Sequence, residues 1–267
     1  MYRLRLGSSI KFSDADFYEK LAEAKRLGFD AVDFDIAGFC DEREKEIENY
    51  KHLAEGLAAV KSSGLFLNGV HLSFGVDWNF ANPDDGIRLA AVARAKEVFD
   101  VVDPFSPFCY IFHGSLEPIP DGQRGVFLGA LKKSLKDLRP LTKTRLCIEN
   151  LPRTCLLNTA KEACEVVDGA QGIDICADVN HFLQEKTEDA LLVMGARVKT
   201  LHISDCDYVN ERHWMPLKGK IDWMKVIGSL EKIGYGGVFN YETVGASLRE
   251  IKENYEKLFA MYNAAQN

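Results

Sequence analysis

Short apolar runs alternate along the chain with longer stretches whose apolar positions fall at helical spacing. The first run, residues 4–10, contains Gly7-Ser8-Ser9, and Ser13-Asp14 can cap a helix over 15–27 that stops at Gly28. Residues 30–36 alternate as a second strand. The charged stretch from Asp41 carries Ile47, Leu53, Leu57 and Val60 at helical spacing until Gly64. Six further units pair strands over 65–71, 108–113, 145–149, 173–178, 198–204 and 237–242 with helices over 84–101, 125–138, 159–167, 187–194, 222–233 and 248–262. Eight strand-then-helix repeats with no second compositional block predict an α/β fold: a closed (β/α)8 TIM barrel forming a single domain over residues 1–267. An open doubly wound sheet is the competing arrangement, weakened because no Gly-x-Gly-x-x-Gly turn follows the first strand.

The polar residues that break this pattern gather where strands end. Of six histidines, His71, His113, His181, His202 and His213 lie at or just beyond strand ends or in the loop after the seventh strand; His52 alone sits in a helix, as a solvated residue. Glu149, Asp178 and Glu242 end apolar runs in the same way. Buried carboxylates need a cation, a hydrogen-bond network or a raised pKa. In a barrel these ends share one face, and carboxylates converging there with imidazoles suit a hard or borderline divalent metal. Glu149, Asp178, His202 and Glu242 form the expected ligand set. Trp78, Trp214 and Trp223 read first as packing residues, although Trp214 adjoins His213. Lys218 and Lys220 read as solvated loop residues.

Composition narrows the picture. With 46% hydrophobic and 27% charged residues the chain has ample core material. No run approaches the ~18 apolar residues of a membrane span, and the amino terminus enters a strand pattern, so a cytoplasmic protein without membrane partners is expected. Seven cysteines (40, 109, 147, 155, 164, 176 and 206) include no Cys-x-x-Cys pair, which predicts small core residues and neither a disulfide framework nor a cysteine zinc site. The net charge of -7 argues against nucleic acid held by its phosphates.

Five stretches together resemble the xylose-isomerase-like barrel superfamily: Ile148-Glu149-Asn150; Asp178-x-x-His181; His202-Ile203-Ser204-Asp205; residues 213–223 with Lys218-Gly219-Lys220-Ile221-Asp222-Trp223; and Gly234-Tyr235-Gly236-Gly237 ahead of Tyr241-Glu242. That group contains sugar isomerases and epimerases and the endonuclease IV type of apurinic/apyrimidinic endonuclease. The epimerase resemblance implies one divalent ion (Mn, Mg, Co or Zn) on Glu149, Asp178, His202 and Glu242. It also implies Glu149 and Glu242 as catalytic base and acid through an enediolate, and His181 and Arg212 as substrate contacts, with His71, His113 and Trp214 as further candidates. The expected partner is a small carbohydrate, free or phosphorylated, and the reading leaves room for a homo-oligomer.

The nuclease resemblance implies three zinc ions instead, adding His71, His113, His181, Glu211 and His213 as ligands, with Glu211 standing where that family has Asp. Against it, Glu149 is followed by Asn-Leu-Pro-Arg-Thr-Cys without the expected glycine, and Asp178 by Val-Asn where the nuclease has Thr-Cys. The loops after the first two strands also lack a basic or aromatic stretch suited to a DNA groove. A sugar-binding protein of this fold without catalysis is the third alternative.

Overall fold

The computed structural model describes residues 1–36 and 43–266, with side chains for all of these but 43–51. Cys40 and the expected helix start at Asp41 lie outside the described residues. In chain order come β1 (Arg5–Lys11), α1 (Phe17–Leu27), β2 (Ala31–Asp35), α2 (Arg43–Ser63), β3 (Phe66–His71), α3 (Asp85–Val102), β4 (Cys109–His113) and α4 (Arg124–Leu138). They are followed by β5 (Arg145–Glu149), α5 (Ala160–Asp168), β6 (Ile173–Asp178), α6 (Thr187–Met194), β7 (Val198–His202), α7 (Trp223–Lys232), β8 (Val238–Tyr241) and α8 (Leu248–Ala265).

All neighbouring strands pair in parallel, in the order β7-β6-β5-β4-β3-β2-β1-β8. The two outer strands meet one residue past β7. There the Ile203 N–H donates to the Asn240 carbonyl (2.8 Å), and the Ile203 carbonyl accepts from the Glu242 N–H (3.0 Å). The barrel is therefore closed, and the open sheet is excluded. The seventh and eighth strands end at His202 and Tyr241, earlier than the apolar pattern suggests, and past β7 the pairing continues only as the isolated bridge of Ile203 with Tyr241.

Helix ends follow local chemistry. The Asp84, Thr159 and Asp222 side chains accept backbone N–H bonds at the starts of α3, α5 and α7, and Ser247 with Glu250 forms a capping box on α8. The Ser13-Asp14 cap is not formed. Helix α1 starts after Asp16, and both Asp14 and Asp16 pair with Lys20 at 2.6 and 2.9 Å, an attraction that draws the Asp14 carboxylate away from the helix amides.

Most of the hydrophobic core lies between the sheet and the helices, where Trp78 and Trp223 are buried. The barrel interior differs. Side chains alternate along a strand, so the phase that turns Glu149, Asp178 and His202 inward also turns Cys147, Cys176 and Thr200 inward, one layer deeper. Cys109, Ile111, Cys147 and Cys176 form a separate small buried cluster. Beside them, Asp33 accepts from Asn68 Nδ2 (2.7 Å), which also bonds Thr200 Oγ1 (2.9 Å).

The register of β2 against β3 slips between Val32 and Asp33, and Gly69 stands opposite the Asp33 carboxylate. A Cβ on Gly69 would lie 2.6 Å from Ile111 Cδ1 and 2.9 Å from Asp33 Oδ1. Gly69→Ala is therefore expected to destabilise the fold by about 1–3 kcal/mol in urea unfolding, whereas Gly122→Ala, where an added Cβ meets nothing within 4 Å, is expected to be neutral. Equal midpoints for the two variants would refute this packing constraint.

Candidate metal centre

Three adjacent strands and the residue after β8 present the expected ligand set. Glu149, Asp178 and His202 end β5, β6 and β7, and Glu242 follows β8; one donor atom from each lies within 4.8 Å of the others. His202 Nδ1 is 3.2 Å from Glu242 Oε2 and 3.5 Å from Glu149 Oε2. Glu149, Asp178 and His202 are buried, while the Glu242 side chain keeps about a quarter of its surface, at 26%. Asp178 Oδ2 and His202 Nδ1 are buried without a hydrogen-bond partner. Unpartnered donors among three carboxylates and an imidazole fit a divalent cation, because burial makes each unpaired group costly and a cation satisfies all four together.

The first motif acts by bracing this set. Asn150 Nδ2 donates to the Asp178 carbonyl (3.0 Å) and Asn150 Oδ1 accepts from the Asp178 N–H (2.8 Å), clamping β5 to β6. Asp178 Oδ1 accepts from the Asn180 N–H (2.7 Å), which leaves Oδ2 aimed at the centre. Asp205 belongs to the loop rather than to the site. Its carboxylate accepts from the N–H groups of Cys206, Leu217 and Ile221 and from Trp223 Nε1, and its main chain exchanges two hydrogen bonds with Trp214. Gly219 is required there, since a Cβ would sit 2.2 Å from Asp205 Oδ1. The loop so tied brings His213 back to the barrel mouth, its Nδ1 3.2 Å from the Glu242 carbonyl.

The remaining histidines surround Glu149. His71 Nδ1 donates to the Leu72 carbonyl (2.7 Å), so its Nε2, 3.1 Å from Glu149 Oε2, bonds that carboxylate only when the ring is doubly protonated. His181 repeats the pattern: Nδ1 donates to the Asn150 carbonyl (2.9 Å), and Nε2 faces Asp178 Oδ2 at 3.4 Å and Glu211 Oε2 at 3.6 Å. Burial opposes charge on both rings. The carboxylates outweigh it, holding His71 up at about 9 and His181 up at about 10.

Burial likewise pushes Asp178 up to about 6. For Glu149 and Glu242 the same burial is overcome by the neighbouring imidazoles, His202 first, so that Glu149 stays well below the carboxylate range and Glu242 falls to about 2. Burial lowers His113, which stacks on exposed Phe74 at 4.8 Å and places Nε2 3.5 Å from Glu149 Oε2.

At the rim the candidates disperse. The Arg212 guanidinium turns to Asp207 (2.8 Å) and lies over Trp214, 5.7 Å from the ring centroid. Trp214 is exposed, which corrects its reading as a packing residue. Glu211 is shared between Arg153 (3.0 Å) and His181. Lys218 and Lys220 are exposed, as expected.

Asp33 and Cys176 escaped sequence reasoning. Asp33 Oδ2 lies 3.6 Å from His202 Nε2, on the side of the ring away from Glu242, where an outer carboxylate can fix the ring's orientation. Each lies within a buried apolar strand pattern, and inward alternation was the one signal available.

Residues 21–264 match the xylose isomerase-like TIM barrel family. The chain belongs to this family. One relative, the D-psicose 3-epimerase of Ruminiclostridium cellulolyticum, is 23% identical over 262 residues, covering 88% of this chain and 83% of that protein. Among solved structures, a D-tagatose 3-epimerase-like protein superposes with a TM-score of 0.82 at 20% identity, covering 99% of this chain and 100% of its own. A 3-keto-D-glucoside 4-epimerase from E. coli does so with a TM-score of 0.72 at 18% identity, covering 97% and 100%. At these identities the structural likeness establishes the shared barrel.

The charge arrangement generates a pH prediction for the metal-free protein. His71 and His181 have folded values above their ordinary 6.5, so their stabilising contribution is complete below about pH 6.5 and is lost as pH rises through about 9 to 10. In chelator, the thermal midpoint is expected to fall across that window, and His71→Asn or His181→Asn to flatten the fall. An alkaline limb unchanged in both variants would show that other groups produce it.

Proposed function

We propose that this protein is a divalent-metal-dependent isomerase or epimerase of a small polyhydroxylated ketone, using one Mn, Mg, Co or Zn ion. The observation that carries the reading is the convergence of Glu149, Asp178, His202 and Glu242 within 4.8 Å, with buried donor atoms lacking partners. The names of the epimerase relatives support a ketose as the substrate class. When bound, the ion supplies Lewis-acid polarisation of the ketone and a neighbouring hydroxyl.

The chain's own residues do the rest. Glu149 and Glu242 reach the centre from β5 and β8, with β6 and β7 between them, so a carbon held there meets a carboxylate on each side. One takes the proton next to the carbonyl, giving an enediolate; the other returns a proton to the opposite face. Their low proton affinity suits the one that acts as base, and its partner carries a proton when it acts as acid. His181, fixed through Nδ1, offers Nε2 to a substrate hydroxyl, with His71 and His113 beside it. Arg212 and Trp214 form a rim contact for the far end of the sugar.

A second reading, zinc-dependent cleavage at abasic DNA, has one observation in its favour: His71, His113 and Glu149 form another group of donors within 4.8 Å of one another, sharing Glu149 with the first. His181 and Glu211 lie beside it, and His213 lies 5.9 Å from His181 between ring centroids. The acidic chain disfavours that substrate.

The decisive experiment reconstitutes the protein with each metal, measures stoichiometry and follows exchange of ketose C–H for deuterium by NMR, starting with D-psicose, D-tagatose and L-ribulose. About one ion per chain with exchange is expected. Glu149→Gln and Glu242→Gln are each expected to lower exchange by at least about 10²-fold while leaving the circular dichroism unchanged. Close to three zinc ions with cleavage of abasic duplex would replace this reading with the nuclease. Sugar binding without exchange would leave a non-catalytic binding protein.

A further inference from the structure

Cys176 precedes Asp178 by two residues on β6 and pairs in register with Glu149 on β5, so its thiol enters the barrel directly beneath the four candidate ligands. Cys176, Glu149 and His202 form a donor group of their own, with one atom from each lying within 4.8 Å of the others. All three are buried, and neither ring nitrogen of His202 has a hydrogen-bond partner. The proposed reaction leaves Cys176 unused, and a thiol differs in kind from the oxygen donors above it: sulfur is soft and selects cations that magnesium does not resemble.

We propose that the metal centre extends downward to Cys176, whose thiolate makes this a site for a thiophilic divalent cation such as zinc, cobalt or cadmium in preference to magnesium. The inference rests on Glu149 and His202 as ligands and deepens that reading by assigning the class of cation. On binding, the thiol releases its proton to solvent and the freed sulfur lone pair forms the bond to the cation, so no oxidant or reductant is involved. The absence of a Cys-x-x-Cys pair is no obstacle, because strand pairing supplies the proximity that a sequence motif provides elsewhere.

The test titrates Co2+ into chelator-stripped wild-type protein and records the near-ultraviolet and visible spectrum. A sulfur-to-cobalt charge-transfer band is expected to rise in proportion to bound cobalt and to resist excess magnesium. The band should vanish in Cys176→Ser, with the visible cobalt bands retained, and persist in Cys109→Ser and Cys147→Ser. Cobalt bound by the wild type without the charge-transfer band would overturn the thiolate while leaving an oxygen and imidazole centre. A band that survives in Cys176→Ser would overturn the assignment to this residue, and failure to bind cobalt at all would overturn both this inference and the metal reading beneath it. If Cys176→Ser does not fold, the wild-type spectrum still decides whether a thiolate is bound, and the other two variants decide whether it is Cys109 or Cys147 instead.

Discussion

The constraint on which this structure depends is the burial of carboxylates at the inner mouth of a barrel. A carboxylate removed from water is stable only beside positive charge or several hydrogen-bond donors. Glu149 receives both kinds of support, from His71, His113, His181 and His202, all within 3.5 Å. His71 and His181 are in turn held by backbone carbonyls, His202 lies between Asp33 and Glu242, and His113 stacks on Phe74. Positive charge, carried by imidazolium protons or by a metal ion, is thus part of the design of the mouth. The same arrangement explains why the carboxyl values diverge: burial drives Asp178 up, with Glu149 and Glu242 adding to it, whereas His202 beside Glu242 overcomes burial and drives that carboxyl down.

Much of this was legible because parallel strands advertise themselves. A run buried on both faces is apolar nearly throughout, so a terminal Glu, Asp or His stands out. That contrast located Glu149, Asp178, His202 and Glu242, and the closed sheet brought them together. Residues on loops were harder to place, because their side chains answer to neighbours far away in sequence. Arg212 is expected from the resemblance as a substrate contact, but its guanidinium is engaged by Asp207 and Trp214. Asp205 stands in the motif that begins at His202, but its four donors make it the core of a loop. The Ser13-Asp14 cap failed for a similar reason, the Asp14 carboxylate pairing with Lys20 instead of with the helix amides.

The interior residues were hidden by the pattern that revealed the ends. Asp33, Cys147 and Cys176 sit inside apolar strands, where a small thiol passes for packing and a lone aspartate for an exception. What distinguishes them is position around the barrel, and that depends on register: the slip between Val32 and Asp33, the glycine opposite it and the pairing of Cys176 with Glu149 are tertiary facts. The layer they form is unusually polar for a barrel centre, where branched apolar side chains are the norm.

The seam at Ile203 gives the molecule a mechanical character. Seven strand pairs are joined by ladders, but the eighth junction is a single bridge, flanked by His202 on one edge and Glu242 on the other. Whatever links those two side chains acts as a rivet across the weakest line of the cylinder. Occupancy of the mouth and resistance to opening are then one equilibrium viewed from two sides, each strengthening the other by mass action. The line with the fewest backbone links in the cylinder thus runs through the candidate metal centre.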